Sequence, residues 1–487
     1  MADTKTRTGR YAHRFLILGI CCMSLLLVSM DATVLNVALP VIRRDLSSSV
    51  TGLQWMLDAY TLTIASFLML SGSMADRFGR RRVFQIGLAV FAAGSLLCSA
   101  APTEGWLIGF RVIQALGGSM LNPVAMSIVT ATFTERAARA RATGVWSAVA
   151  GVSLAVGPIV GGLLTETVGW RAIFWINVPI GIAAIVLTAL FVPESKGRHP
   201  RRFDPVGQLL VMLLLGSAMA ALIEGPRLGW LSWQGLSLFA TAVIALAGLI
   251  LYESWHPEPL VDIRFFRSLP FSSAVVTAIV AFAGNASFLF LATLYLQNVQ
   301  HFDPLQAGLH MIPVAVAQMV CATLSGRLVA VRGPRLPLLL AASGIAGGAL
   351  SLMTLTPTST TLHVILVFAL MGAGMGLVNS PIANTAISGM PLSRAGMAAA
   401  IASTSRQTGS ALGIALTGSV ASAAVAGTAD FATAAQPMWW VVFGFAIAIA
   451  AVALVAWSRW GRRSASDIAH LLEEEPAPRP RVVSVAG

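Results

Sequence analysis

Gly72-Ser-Met-Ala-Asp76-Arg77-Phe-Gly79-Arg80-Arg81-Arg82 joins two long apolar runs, 53–74 and 83–101. Each run is close to the ~20 residues that a helix needs to cross a bilayer. The join is too short for more than a tight turn, and it carries four arginines. Lys and Arg are retained on the cytoplasmic side of membrane helices. The stretch therefore reads as a hairpin of two spanning helices with its turn in the cytoplasm.

Outward from this hairpin the pattern repeats along the chain. Fourteen candidate spans cover 14–39, 53–74, 83–101, 105–131, 142–165, 171–192, 206–225, 234–253, 269–297, 305–328, 335–355, 361–388, 397–424 and 437–459. Of the 487 residues, 56% are hydrophobic and only 11% charged, with a mean hydropathy of +0.78. Soluble chains average roughly 25% charged residues, so there is too little polar surface here for several water-soluble domains. Disordered, collagen-like and disulfide-scaffold chains are excluded by the same composition. The expected fold class is an all-α polytopic membrane protein. The basic N-terminus followed by an apolar run resembles a signal peptide, but the run is long and no small-residue cleavage site closes it, so it reads as an uncleaved first span.

The net charge is +12, from 32 Lys and Arg against 20 Asp and Glu. With the N-terminus inside, 26 of the basic residues fall in cytoplasmic segments and 4 outside (Arg43, Arg44, Arg171 and Arg227). This split predicts an N-in, C-in chain with an even number of spans. It also explains the basicity without nucleic acid, since the charges form small clusters between apolar runs. The hydrophilic segment 193–205 closes the first six spans. The expected organisation is a cytoplasmic N-terminus (1–13), a six-helix bundle (14–192), a linker (193–205), two extra central spans (206–253), a linker (254–268), a second six-helix bundle (269–459) and a disordered cytoplasmic tail (460–487). A faint repeat supports two related halves: Gly326-Arg327-Leu-Val-Ala-Val-Arg332-Gly333-Pro334-Arg335 follows span 10 as the arginine-rich turn follows span 2, without the acid. Related halves with a site between them are a common transporter plan.

An ionised side chain at a helix centre costs roughly 2.5–3.5 kcal/mol on insertion scales, so each one inside a span marks a candidate site. Asp31, Asp58 and Arg111 are three. At 1.5 Å per residue, Asp31 lies about 25 Å from the inner end of its span, and Asp58 and Arg111 about 8–9 Å from the outer ends of theirs. All three are thus expected in the outer half of the membrane, facing one cavity. Desolvation favours the protonated form of such a carboxyl and a nearby Arg the ionised form, the conflict that proton coupling needs. Arg406 is a fourth buried charge, with no acid in any span after position 270.

Span 5 is crowded with Gly144, Gly151, Gly157, Pro158, Gly161 and Gly162, which predicts close helix approach and a kink. In the turn after span 2, Gly72, Asp76, Arg77, Gly79 and Arg80 form a candidate conformational switch: Asp76 caps the next helix or pairs with an Arg from a neighbouring loop in one access state only. Gly157, Pro158, Gly161 and Gly162 join that set. Cys21, Cys22, Cys98 and Cys321 lie in apolar runs without metal-ligand spacing, so no metal site is expected. The seven histidines are scattered and form no catalytic constellation. No Walker-type loop is present, which argues against ATP drive, and nothing resembles a selectivity filter.

These motifs resemble the major facilitator superfamily, and within it the 14-span drug:proton antiporters, over about residues 14–460. The turn at Gly72–Arg82 matches the superfamily's loop 2–3 signature. Leu107-Ile-Gly-Phe-Arg111-Val-Ile-Gln114 resembles the span 4 signature, with Ala115 in place of a usual Gly. Gly144…Ser153…Gly157-Pro158-Ile-Val-Gly161-Gly162 resembles the antiporter signature of span 5, with Ser153 in place of a Gly. Met30-Asp31-Ala-Thr33-Val-Leu-Asn36-Val-Ala-Leu-Pro40, Trp170-Arg171-Ala-Ile-Phe-Trp-Ile-Asn177-Val-Pro179 and Ser405-Arg406-Gln407-Thr-Gly409 resemble segments of the 14-span subgroup.

The resemblance implies a major facilitator fold of two six-helix bundles plus two central helices, working as a secondary transporter and not an enzyme. It implies export of lipophilic cationic or neutral drugs across the plasma (inner) membrane, with protons as the coupling ion and no cofactor. Asp31 is then the leading proton site, Asp58 the second, and Arg111 their coupling partner. Relatives that export dications carry further acids in the C-terminal half, and this chain has none in those spans. The substrate cavity is expected to draw on Asn36, Gln54, Trp55, Tyr60, Gln114, Asn285, Tyr295, Gln318, Asn379 and Arg406. Expected partners are a small lipophilic substrate and membrane lipid, with no nucleic acid, and the chain is expected to act as a monomer. The alternative is a narrow exporter of one endogenous metabolite or antibiotic.

Overall fold

The structure, a computed structural model, describes residues 2–196, 204–256, 259–388, 390, 394–425, 431–458, 460–461, 463–464 and 467. Among them every regular element is helical. In hydrocarbon a backbone must bond to itself, and a helix does this within one segment. The first half comprises α1 (Ala2–Asp45), α2 (Val50–Phe78), α3 (Arg80–Ser99), α4 (Glu104–Thr132), α5 (Arg136–Thr167), α6 (Ala172–Trp175) and α7 (Asn177–Phe191). The central pair is α8 (Pro205–Leu228) and α9 (Trp233–Trp255). The second half comprises α10 (Leu269–Leu294), α11 (Pro304–His310), α12 (Ile312–Arg332), α13 (Arg335–Leu352), α14 (Thr361–Ile387), α15 (Ala395–Val425) and α16 (Phe431–Ala456).

Thirteen helical stretches among the described residues are long and apolar enough to cross a membrane. The remaining expected span, 397–424, coincides with α15, one unbroken helix of 31 residues. Most of the expected tail 460–487 and of the linker 193–205 lies outside the described residues. The first helix runs back to Ala2, through the segment read as a separate N-terminus.

Two spans are broken near the start of their apolar runs. The break at Ile176 divides α6 from α7, and the break at Met311 divides α11 from α12. Each precedes a proline, Pro179 and Pro313, which has no N–H to offer the carbonyl four residues back. Span 9 ends in a π-helical turn, Tyr295–Val299. The turns after α2 and α12 share one backbone device: Gly79 (φ +111°) and Gly333 (φ +73°) each end a helix in the region that glycine tolerates best. The faint sequence repeat is thus a repeat of turn geometry.

The central pair docks on both halves. Gln208 Nε2 of α8 donates to the Ser66 carbonyl of α2 at 2.7 Å, and Trp55 Nε1 donates to Glu224 Oε1 of α8 at 2.9 Å. Leu62 of α2, Met219 and Ile223 of α8, and Ala411 and Ala415 of α15 form one apolar cluster. On α9, Val243, Ile244 and Leu251 are exposed, as suits side chains that meet lipid.

Candidate functional site

Asp31 of α1 points into a pocket walled by α3, α4 and α7. Arg111 and Gln114 stand three residues apart on α4, so both side chains reach the same face. Arg111 Nη1 donates to Asp31 Oδ2 at 2.5 Å. Gln114 Nε2 donates to Asp31 Oδ1 at 2.7 Å, and Asn177 Nδ2 donates to the same oxygen at 3.0 Å. Ser95 Oγ of α3 accepts from both amides, at 2.7 and 3.1 Å. Asn177 is the first residue of α7, so the helix break at Ile176 is what delivers it. The pair is 1–2% exposed on both sides.

Arg111 is held on its other sides as well. Its Nε donates to the Met56 carbonyl at 3.2 Å, its Nη1 also reaches Gln114 Oε1 at 2.8 Å, and its guanidinium lies 4.0 Å from the Tyr60 ring centre. Cations are drawn to the face of an aromatic ring. The arrangement sets a carboxyl against a guanidinium with the hydrogen-bonding capacity of both largely filled. Removing either charge leaves the other buried alone, which is far less favourable than the pair.

Asp58 is not part of this network, contrary to the expectation of one shared cavity. It is fully buried, and neither carboxyl oxygen has a hydrogen-bond partner among the described residues. Helix geometry explains the separation. Met56 and Tyr60 lie on the Arg111 side of α2, whereas Asp58 lies one turn from Gln54, on the side facing α15. Gln54 Nε2 donates to the Ile414 and Ala415 carbonyls of α15 at 2.7 and 3.0 Å.

A small cavity lies between the halves. Thr33, Asn36 and Val37 of α1, Leu154 and Pro158 of α5, Asn285, Leu289 and Thr293 of α10, and Met311, Val314, Ala315 and Gln318 at α12 line it. Of the expected cavity residues, Asn36, Asn285 and Gln318 are there. The other seven are outside the lining. Tyr60 and Gln114 are used by the charge network and Gln54 by α15. Trp55 bonds to Glu224 of the central pair, and Tyr295 Oη donates to the Thr356 carbonyl at 2.7 Å. Asn379 is half-buried on α14. Arg406 of α15 sits 5.9 Å from the Phe282 ring centre.

Span 5 touches both halves. A Cβ on Gly157 would collide with Thr33 of α1, one on Gly161 with Val34, and one on Gly162 with the Pro304 carbonyl of α11. The Pro158 carbonyl in turn packs where a Cβ on Gly308 would lie. Gln297 Nε2 donates to the Val37 carbonyl at 2.7 Å, and the Leu305 N–H to Glu166 Oε2 at 3.3 Å. All these contacts fall on the side predicted to be external, where they join the two halves.

In the turn after α2, Asp76 pairs with Arg80 on the next turn of chain at 3.0 Å, and it does not cap α3, whose N-cap is Gly79. The partner from a neighbouring segment is Glu194, which accepts from the Arg81 N–H at 3.1 Å and lies 3.7 Å from Arg82. Its carboxyl also fills the space beside Gly79. A Cβ on Gly72 would meet nothing within 4 Å, and Arg77 lies 5.8 Å from the neighbouring Phe78 ring centre. Glu194, Ser95 and Asn177 are the residues that the sequence reading did not single out. Asn177 lay inside a quoted motif; Ser95 carried no signal.

With this geometry in place, comparison with known proteins is decisive for the family. The model of the Major Facilitator Superfamily matches residues 21–414. The chain belongs to the major facilitator superfamily. It is 36% identical to the multidrug resistance protein Stp of Mycobacterium tuberculosis over 408 residues, 84% of this chain and 76% of that one. It is 34% identical to the tetracenomycin C resistance and export protein of Streptomyces glaucescens, over 81% of this chain and 74% of the relative. Among solved structures it resembles a bacterial homologue of the human lysosomal transporter Spinster, with a TM-score of 0.60 at 17% identity, covering 95% and 97% of the two chains. That likeness concerns the fold alone. The superfamily's all-α polytopic architecture is the one observed, and the protein is a transporter by family.

Proposed function

We propose that the protein is a proton-coupled exporter of antimicrobial compounds in the plasma membrane. One observation carries the reading: a charge-balanced Asp31–Arg111 pair sits sealed inside the first half, on the helix that also supplies Thr33 and Asn36 to the cavity between the halves. The names of the relatives, resistance and export proteins, support the cargo. In this reading the substrate binds in the cavity, and the two bundles, 14–192 and 269–459, rock about it. A proton taken up by Asp31 releases Arg111 from its countercharge. The freed guanidinium draws α4 into a new arrangement, and the loss of that proton on the cytoplasmic side restores the pair. Asp58, buried and without a hydrogen-bond partner among the described residues, is the second carboxyl on this path. Protons are the only coupling species, no cofactor or metal takes part, and the chain works as a monomer. A proton entering down the membrane potential supplies about 2.3 kcal/mol per 100 mV.

The test uses energised inside-out vesicles containing the full chain and a pH-reporting dye. Addition of a compound from an antimicrobial panel is expected to evoke proton release by the wild type and not by Asp31→Asn at equal abundance. Equal release in both removes Asp31 from coupling. Release with no compound in the panel overturns the export reading.

A further inference from the structure

Among the described residues, none that lines the cavity between the halves carries a charge. Its polar lining is two hydroxyls and three amides: Thr33, Thr293, Asn36, Asn285 and Gln318. Much of that polarity is already spent on the helices themselves. The Thr33 hydroxyl donates to the Met30 carbonyl at 3.0 Å, Thr293 to Leu289 at 3.0 Å, and Asn36 Nδ2 to Ala32 at 3.0 Å. Two amides retain capacity for a ligand. Asn285 Oδ1 is buried without a partner, and no hydrogen bond within the described residues engages Gln318.

The nearest acid along α1 is turned away. Residues 31 and 33 differ by about 200° around a helix, so Asp31 faces α4 while Thr33 faces the cavity. Asp31 is also fully engaged by three donors. Asp58 faces α15 from α2, a helix that contributes nothing to the lining. Behind the α10 wall, outside the lining itself, the one charged side chain among the described residues of α10 and α15 is positive. Arg406 contacts Phe282, which is one turn before Asn285, and no acid is paired with it.

From these positions we infer that the cavity selects uncharged amphiphiles carrying hydrogen-bonding groups and discriminates against permanent cations. The inference rests on the export reading and narrows its cargo. A permanent cation entering this space exchanges its hydration for amide dipoles, with no carboxylate in the described lining to compensate, an unfavourable transfer. A neutral molecule with a carbonyl or hydroxyl gains from the unpaired amides and from Leu289, Met311 and Val314. A further consequence follows from charge balance: exchange of one proton for an uncharged molecule moves one net charge, so a membrane potential alone drives export.

The test is calorimetric binding to the full chain in lipid nanodiscs, with two probes of similar shape. Triphenylphosphine oxide is uncharged and carries one acceptor oxygen; tetraphenylphosphonium is a permanent cation. The expected result is at least tenfold tighter binding of the oxide, with the preference inverted by Asn285→Asp and by Gln318→Glu. Two variants at different helices guard against misfolding of either, and the wild-type ratio needs neither. Equal or tighter binding of the cation by wild type overturns the inference, as does absence of binding by both probes. Because this readout needs no proton gradient, its failure leaves the vesicle result standing, and failure of the vesicle assay is seen separately.

Discussion

The two halves share a helical plan but fill it differently. Where α1, α3, α4 and α7 enclose an acid, an arginine, two amides and a hydroxyl, the second half encloses rings and aliphatic chains. Phe288 and Phe368 meet edge to face at 5.1 Å, within a cluster that includes Leu291, Leu338, Ile345 and Met371. Duplicated halves are thus not duplicated chemistry. On the proposed coupling, one proton changes the internal balance of the first half, and the second half is the packed wall against which that change acts. Asp31→Asn is the sharpest way to break the contrast. It leaves Arg111 buried without a countercharge, a loss of about 3–5 kcal/mol, seen as a lowered melting temperature together with abolished compound-evoked proton release. Asp31→Asn with Arg111→Gln is expected to recover most of the stability and none of the coupling.

The second half should behave in the opposite way. Phe368→Ala removes a fully buried ring and leaves a cavity, which costs about 3–5 kcal/mol. The melting temperature is expected to fall as far as for Asp31→Asn, while proton release per folded molecule persists. A loss of coupling in Phe368→Ala at intact folding would place the proton machinery in both halves.

The spans were legible in the sequence because their signal is length and apolarity, both local properties. Asp31 and Arg111 were legible because a charge is conspicuous in an apolar run. Ser95 and Asn177 were not, since small polar residues are ordinary in spans and nothing local says which of them meet. Gln114 was read as a cavity residue because an amide fits either setting; its place depends on α4 facing α1 and α3. The separation of Asp58 from Asp31 is likewise a matter of rotation about α2. The helix breaks that deliver Asn177 and seat Met311 were written in Pro179 and Pro313, but their effect on function required the packing.

A smaller effect tests how the halves meet. Gly162 permits α5 to lie against the Pro304 carbonyl, so Gly162→Val pushes the halves apart on the external side. A shift of about 1 kcal/mol between access states changes their ratio roughly fivefold. The expected outcome is faster labelling of Asn36→Cys by an impermeant thiol reagent added outside. Gly19→Val is the control, since a Cβ there meets nothing within 4 Å. Equal labelling in both backgrounds would mean that the α5–α11 contact does not hold the external side closed.

The smallest expected effect concerns the central pair, which belongs to neither half by sequence yet bonds to one of them. Among the described residues, both of its side-chain hydrogen bonds to the bundles go to α2, through Gln208 and Glu224, and its contact with α15 is apolar. Hydrogen bonds fix geometry, whereas apolar faces slide, so the pair should travel with the first half and slip against the second. Glu224→Gln keeps the shape of the side chain but weakens the bond from Trp55, by about 1–2 kcal/mol for a bond to a charged group. Slight destabilisation with unchanged coupling is expected, together with a changed Trp55 fluorescence. If coupling falls as well, the pair acts as a strap across α2 and α15 and takes part in the rocking of one half against the other.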